Sequence, residues 1–486
     1  MLLVFVVAVL GGRWLSEADG PVSSVDEGAW IFSSYVFHLT FLEQNFDQGT
    51  WRTEDTLDHP PVARYLFGAV AATTGFIESS AADKEWWARR GADVLDIAGF
   101  QQEIDARIPR PALSACRMAT TLAMIAAAML LFALVAGAWS QAAGAFAAAA
   151  FVLHPRVLHM AVQATSDPFF VALLLANLVV LGRVVIGFWR TGRLSIATTV
   201  ALGILSALHF STKINGSISL VINLIALAIA AVLPGAAPEA KGVKVRIYRA
   251  IRAGVLMTLV FIAVAVGVDP SLWHDPLGFL ADMVRFRLQL IELQSTVFLG
   301  DALPALDLRF GVLARRLLFD EDPVLGAVRF PLLLIGVSLG MVAAVRRMRD
   351  HPQLWLVPLL GSVFWIGATV VTYRLDWQHY RLPAVPFIVL LALLGLGELF
   401  PLRHGPSMRR RLRDLGLATA IAAILVCMAV TRTMESWVED NPEWMARARL
   451  GQIEVLARRH PQRPDIEAER TRRQAEFDAV FRDAAP

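Results

Sequence analysis

The run PFFVALLLANLVVLGRVVIGFW, residues 168–189, carries a single charge in its whole length. A hydrocarbon layer about 30 Å thick needs about 20 such residues as a helix. Only helices and closed barrels satisfy every backbone polar group there. Ten further stretches have the same character, at 1–15, 113–137, 141–157, 194–210, 215–234, 251–268, 326–345, 353–373, 383–400 and 414–431. The expected fold is therefore an all-α polytopic membrane protein of about eleven transmembrane helices. Hydrophobic residues make up 56% of the chain and charged residues 18%, where soluble domains carry about a quarter charged.

Residues 1–15 are short for a span and lack the basic flank of a cleaved signal peptide. They read as a truncated first helix or as a start assigned too late. Basic residues set the orientation. Arg183, Arg190 and Arg193, then Lys241 to Arg252, then Arg346 to Arg349, then Arg403 to Arg413 fall on one side of the bilayer. With that side cytoplasmic, the N-terminus is cytoplasmic and residues 16–112 face outward. That segment holds 16 Asp and Glu against 7 Lys and Arg. An odd number of spans leaves the C-terminal tail outside.

These loops account for the net charge of +3, so the charge is no argument for nucleic acid. Cys116 and Cys427 both fall inside apolar runs, which excludes a disulfide framework and a cysteine-based metal site. The expected organisation is a membrane module over 1–433, with large outer loops 16–112 and 269–325, and a charged helical tail over 434–486. Polar chemistry is expected in those loops or at their junctions with the spans, because ionisable groups deep in lipid are costly.

Five short elements stand at those junctions. Asp26-Glu27 lies about ten residues after the first run; acids in a first helical turn also simply suit the dipole. His59-Pro60-Pro61 opens VARYLFGAVAATTG, a helix too short to span comfortably and expected to lie in the interface. Asp58 or His59 is a plausible N-cap for it, with the prolines in the first turn. Asp167-Pro168 stands at the mouth of the fourth span, where Ser166 or Asp167 could equally be a cap. Lys213 sits between two apolar runs, where it could snorkel or grip an anionic headgroup. Finally, TYRLDWQHYRLP packs Arg374, Asp376, His379, Tyr380 and Arg381 into eight residues. On the topology above, all five elements meet the same outward surface. Carboxylates, a histidine and cations converging there suit a substrate with an anionic head and a lipid tail.

The order of these motifs resembles the GT-C glycosyltransferases that use polyprenyl-phosphate sugars, such as the protein O-mannosyltransferases and lipid A aminoarabinose transferases. The matching residues are Asp26-Glu27, DHPPVARYLFG, Arg117, Asp167, Thr212-Lys213 and Tyr380 to Pro383, over about residues 20–400. The DHPP form is closer to the mannosyltransferases, since the aminoarabinose enzymes place Glu-Lys before the prolines. Residues 77–111 look like an insertion, and the family's motif in the second large outer loop has no clear counterpart in 269–325, although VFLGD is faintly similar.

The resemblance implies transfer of a sugar from a polyprenyl-phosphate donor to an acceptor hydroxyl on the outer side, with inversion. It implies Asp26 as general base, with Glu27 and Asp167 orienting base or acceptor. His59, Arg117, Lys213, His379, Tyr380 and Arg381 would hold the donor phosphate. The acceptor could be lipid, glycan or protein, and the setting a bacterial inner membrane. No cofactor is expected to be required; a divalent ion on Asp26, Glu27, His59 and Asp167 is the alternative. A transporter, or a non-catalytic protein that binds lipid-linked glycans, are the rival classes. The former usually shows broken spans and repeats; the latter needs no acids facing cations.

Overall fold

The computed structural model describes residues 1–33, 35–76, 97–233, 242–298, 301–318, 323–347, 352–372, 374–399, 439–459 and 464–483. The longer helices are α1 (Leu2–Glu17), α2 (Val25–Phe32), α3 (Val62–Thr73), α4 (Ile97–Arg107), α5 (Arg110–Ala138), α6 (Gln141–Val152), α7 (Asp167–Thr191), α8 (Ile196–Phe210), α9 (Ile218–Val232), α10 (Val243–Val268), α11 (Pro276–Val297), α12 (Leu306–Leu318), α13 (Pro323–Arg347), α14 (Pro352–Thr372), α15 (Val385–Leu399), α16 (Pro442–Arg459) and α17 (Pro464–Asp483). Among the described residues, the sole β-pairing is an isolated antiparallel bridge between Ala302 and Leu375.

The protein is an all-α polytopic membrane protein. Ten of the eleven apolar runs coincide with helices; the run 414–431, with Cys427, lies outside the described residues. Among the described residues, five helical segments are long and apolar enough to cross a bilayer: Arg110–Gly137, Asp167–Thr191, Ile214–Val232, Val243–Val268 and His379–Gly397. Shorter apolar helices, including Gln141–Val152 and Ile196–Phe210, complete the bundle.

Helix α7 runs through the middle. Its Phe170, Leu174, Leu178 and Leu181 are buried against Met124 and Leu131 of α5, Leu202 of α8, Ile222 and Ala226 of α9, and Phe387 and Leu390 of α15. Lipid tails are as apolar as leucine, so close packing rather than escape from water holds such helices together. The α13–α15 crossing follows that rule. A Cβ on Gly395 would stand 1.9 Å from the Gly336 carbonyl oxygen, so only glycine permits this approach. Helix α7 stops at Gly192, whose φ of 62° is left-handed and whose N–H returns to the Phe188 carbonyl.

Helices α2, α3 and α4 form a cap with its own apolar core. Trp30, Ile31 and Phe32 of α2 pack on Ala63 and Phe67 of α3, on Ile104 of α4, and on Leu113 and Cys116 of α5. The C-terminal α16 and α17 are charged helices packed together through Ile453 and Ile466. Trp444 of α16 reaches the cluster of Leu303, Leu308 and Ala384 beside Tyr380.

Candidate functional site

A narrow cavity of about 60 Å³ lies where this cap meets the bundle. That is room for a few water molecules. Its lining includes Asp26, Asp58, His59, Arg64, Asp167, Lys213, Arg287, Trp377, His379 and Tyr380.

Local chemistry aims each side chain. Ser24 caps α2 by accepting the Glu27 N–H at 3.2 Å. That start places the neighbours Asp26 and Glu27 about 100° apart around the helix. Asp26 faces the cavity. Glu27 is fully buried and faces α5, where Arg117 Nε and Nη2 donate to its two carboxylate oxygens at 2.8 and 2.9 Å. The Ala164 N–H and the Ser23 N–H and hydroxyl also donate to Glu27. Arg117 donates as well to the carbonyls of Glu17, Gly20 and Pro21. Its five N–H groups are thereby all engaged. The pair ties α2, α5 and the 161–166 turn together, and neither member is among the residues that line the cavity.

The other expected site residues divide in the same way. Asp167 opens α7 and accepts from Lys213 Nζ at 2.8 Å, with both side chains nearly buried. The capping explanation for this acid does not apply: Ser166 makes no side-chain cap bond, and the Asp167 carboxylate points to Lys213 instead. Lys213 is held by the tight turn between α8 and α9. The Gly216 N–H donates to the Lys213 carbonyl, and a Cβ on Gly216 would stand 2.2 Å from the His209 carbonyl oxygen.

His59 stacks on Trp30 with ring centroids 5.0 Å apart. Burial pushes its pKa well below the usual imidazole value; the nearby Asp58 carboxylate opposes this, and Arg287, Lys213 and Arg64 add to it. Neither Asp58 nor His59 caps α3. That helix starts after Pro61, with the Val62 N–H donating to the Ser211 carbonyl. The prolines therefore precede the first turn, and Asp58 is released for a distant partner.

That partner is Arg287 of α11, whose Nη1 lies 2.5 Å from Asp58 Oδ1 and whose Nη2 donates to the Tyr380 hydroxyl at 3.2 Å. Sequence reasoning passed over Arg287. The signal available was an arginine on a helical stretch of the loop 269–325, which the charge pattern predicts to face outward. The segment carrying His379 and Tyr380 is aligned by the antiparallel bridge, through Leu303 N–H to the Arg374 carbonyl at 2.7 Å and Asp376 N–H to the Asp301 carbonyl at 2.8 Å. Trp377 stacks on Tyr380 with rings 8° from parallel. Arg381 is buried and points to Asp376 at 3.6 Å, which Arg316 also engages at 2.6 Å. Among the described residues, no group of three or more His, Cys, Asp or Glu is arranged to hold a metal ion.

The cavity thus gathers three carboxylates and three cations under aromatic walls. Two of the carboxylates are in ion pairs with Lys213 and Arg287. In a water-poor site, donors fixed in this way act most strongly on developing negative charge.

No family model matches the chain, and no curated protein matches it. Among solved structures, it is similar to ArnT from Cupriavidus metallidurans bound to undecaprenyl phosphate, at 16% identity and a TM-score of 0.45, over 98% of this chain and 75% of that one. It is also similar to the oligosaccharyltransferase AglB from Archaeoglobus fulgidus in complex with an inhibitory peptide and a dolichol-phosphate. There the identity is 14% and the TM-score 0.47, over 98% of this chain and 59% of that one. The chain therefore spans less than two thirds of the length of the archaeal protein.

Proposed function

We propose that the chain is a membrane glycosyltransferase that moves a sugar from a polyprenyl-phosphate donor to an acceptor hydroxyl on the outer side of a bacterial inner membrane. The observation that carries this reading is the single cavity that brings Asp26, Asp58–Arg287 and Asp167–Lys213 together at the end of the bundle.

Asp26 acts as general base, taking the proton of the attacking hydroxyl. The acceptor oxygen forms a bond to the anomeric carbon as the bond to the phosphate oxygen breaks. One displacement inverts that carbon. Lys213, Arg287 and the Tyr380 hydroxyl stabilise the leaving phosphate, with neutral His59 and the His379 ring beside them. Asp167 and Asp58 hold the two cations in place before the donor arrives. On donor entry, the phosphate takes the place of a carboxylate on Lys213 and Arg287. Glu27 and Arg117 support the mechanism at one remove, by fixing the helix that presents Asp26. No metal ion or other cofactor is required in this scheme. The acceptor is a lipid, a glycan or a protein.

The test is mass spectrometry of envelope lipids, glycans and glycoproteins from cells with and without the gene. The reading predicts one sugar missing from one acceptor class, with its polyprenyl-phosphate form accumulating. Identical profiles in both strains count against it.

A further inference from the structure

A second cavity lies at the other end of the bundle. It is an apolar groove of about 600 Å³ between α9 and α10. Leu224, Ala228 and Ala231 form one wall, and Ala250, Gly254 and Val255 the other. Small residues at such a seam let helices close up: a Cβ on Gly254 would stand 3.0 Å from Leu224, and the groove runs along the outside of this contact. Thr258, also in the lining, donates its hydroxyl to the Gly254 carbonyl at 2.9 Å, so its polar group is satisfied within the helix.

The ends of the groove differ. Its lining on α10 runs from Ile247 to Leu259, about 18 Å at 1.5 Å per residue. That is close to half of a ~30 Å hydrocarbon core, the depth of one leaflet. At its α10 N-terminal end, exposed Lys244 stands three residues before Ile247 and seven before Ile251, on the same stripe of the helix. Tyr248 is 60% exposed, with the Arg252 guanidinium 5.8 Å from its ring centroid. Aromatic and basic side chains together mark the headgroup level. Arg246 closes this end by donating to the Leu233 and Ala230 carbonyls, and Arg249 donates to the Gly192 carbonyl. Gly192 follows the last residue of α7, and Asp167 of the first cavity is the first residue of that helix. The Asp167 cavity and the basic end of the groove thus stand at opposite ends of α7, about 37 Å apart.

We propose that this groove is a binding site for one anionic glycerophospholipid of the leaflet opposite the Asp26 cavity, with an acyl chain between α9 and α10 and its phosphate group beside Lys244 and Arg252. The site binds a structural lipid and does not depend on the glycosyl-transfer reading. A basic side chain at the headgroup level favours an anionic lipid by roughly fivefold.

The full-length protein, purified in detergent, is offered equal amounts of phosphatidylglycerol and phosphatidylcholine, and retained lipid is counted by native mass spectrometry. The expected result is one retained phosphatidylglycerol per chain, preferred at least fivefold. Lys244→Glu, at an exposed position, should lose the preference with unchanged melting temperature. Ala228→Phe should lose the retained lipid itself. Equal retention of both lipids overturns the proposal, as does a preference that survives Lys244→Glu. Displacement of the retained lipid by undecaprenyl phosphate also overturns it, since the groove would then hold a polyprenyl chain.

Discussion

Arg287 and Asp58 are 229 positions apart in the chain, yet their side chains meet at 2.5 Å inside the candidate site. The pair joins the segment 269–325 to the segment 16–112. Both side chains are largely shielded from water, so removing one partner leaves an uncompensated charge. Arg287→Met should lower stability by about 3 kcal/mol, read as a drop in melting temperature. Adding Asp58→Asn to that variant should restore most of the stability and none of the transfer activity. Recovery of both would reduce Arg287 to a purely structural residue.

Glu27 and Asp26 should behave as opposites although they are neighbours. Glu27→Gln weakens a buried contact with Arg117, and its expected cost is again about 3 kcal/mol. Activity that survives in the folded fraction should retain a normal KM. A Glu27→Gln protein with unchanged melting temperature would contradict the role given to this pair.

The contrast between these two acids shows what a sequence can and cannot carry. The apolar runs identified the helices because length and composition alone decide what crosses lipid. The shared surface of Asp26, His59, Asp167, Lys213, His379 and Tyr380 was legible for the same reason: all flank predicted spans on one side. Which of two adjacent acids faces the cavity depends on where Ser24 starts α2, a matter of one residue. Arg117 matched a motif position but is consumed by the carbonyls of residues 17, 20 and 21. Asp58 looked like a helix cap because Arg287, its partner, lay in a segment without a recognisable motif.

Gly216 tests how Lys213 is positioned. Gly216→Ala would push the turn off the His209 carbonyl. Overpacking of this kind typically costs about 1–3 kcal/mol. The displaced lysine should also raise the apparent Kd for undecaprenyl phosphate, measured by thermal shift or calorimetry. An alanine variant with wild-type stability and affinity would show that the turn has slack.

His59 supplies a pH signature. Its folded pKa lies well below 6.5, chiefly through burial. As pH falls through 6.5, the unfolded chain takes up a proton that the folded site refuses. Stability contributed by neutral His59 is therefore present above pH 6.5 and is lost progressively below it. His59→Gln should flatten the pH dependence of the melting temperature in that window. An unchanged slope would mean that His59 takes up its proton equally in the folded and the unfolded protein, and would contradict its burial as a neutral ring.

Asp26 decides the central claim. Purified Asp26→Asn protein, matched to wild type in melting temperature, should be assayed for release of polyprenyl phosphate from the polyprenyl-phosphate sugar fraction of the native membrane. The account predicts a loss of about 10²–10⁴-fold in turnover, with binding of undecaprenyl phosphate retained. Turnover near the wild-type rate would remove Asp26 as the base and contradict the mechanism.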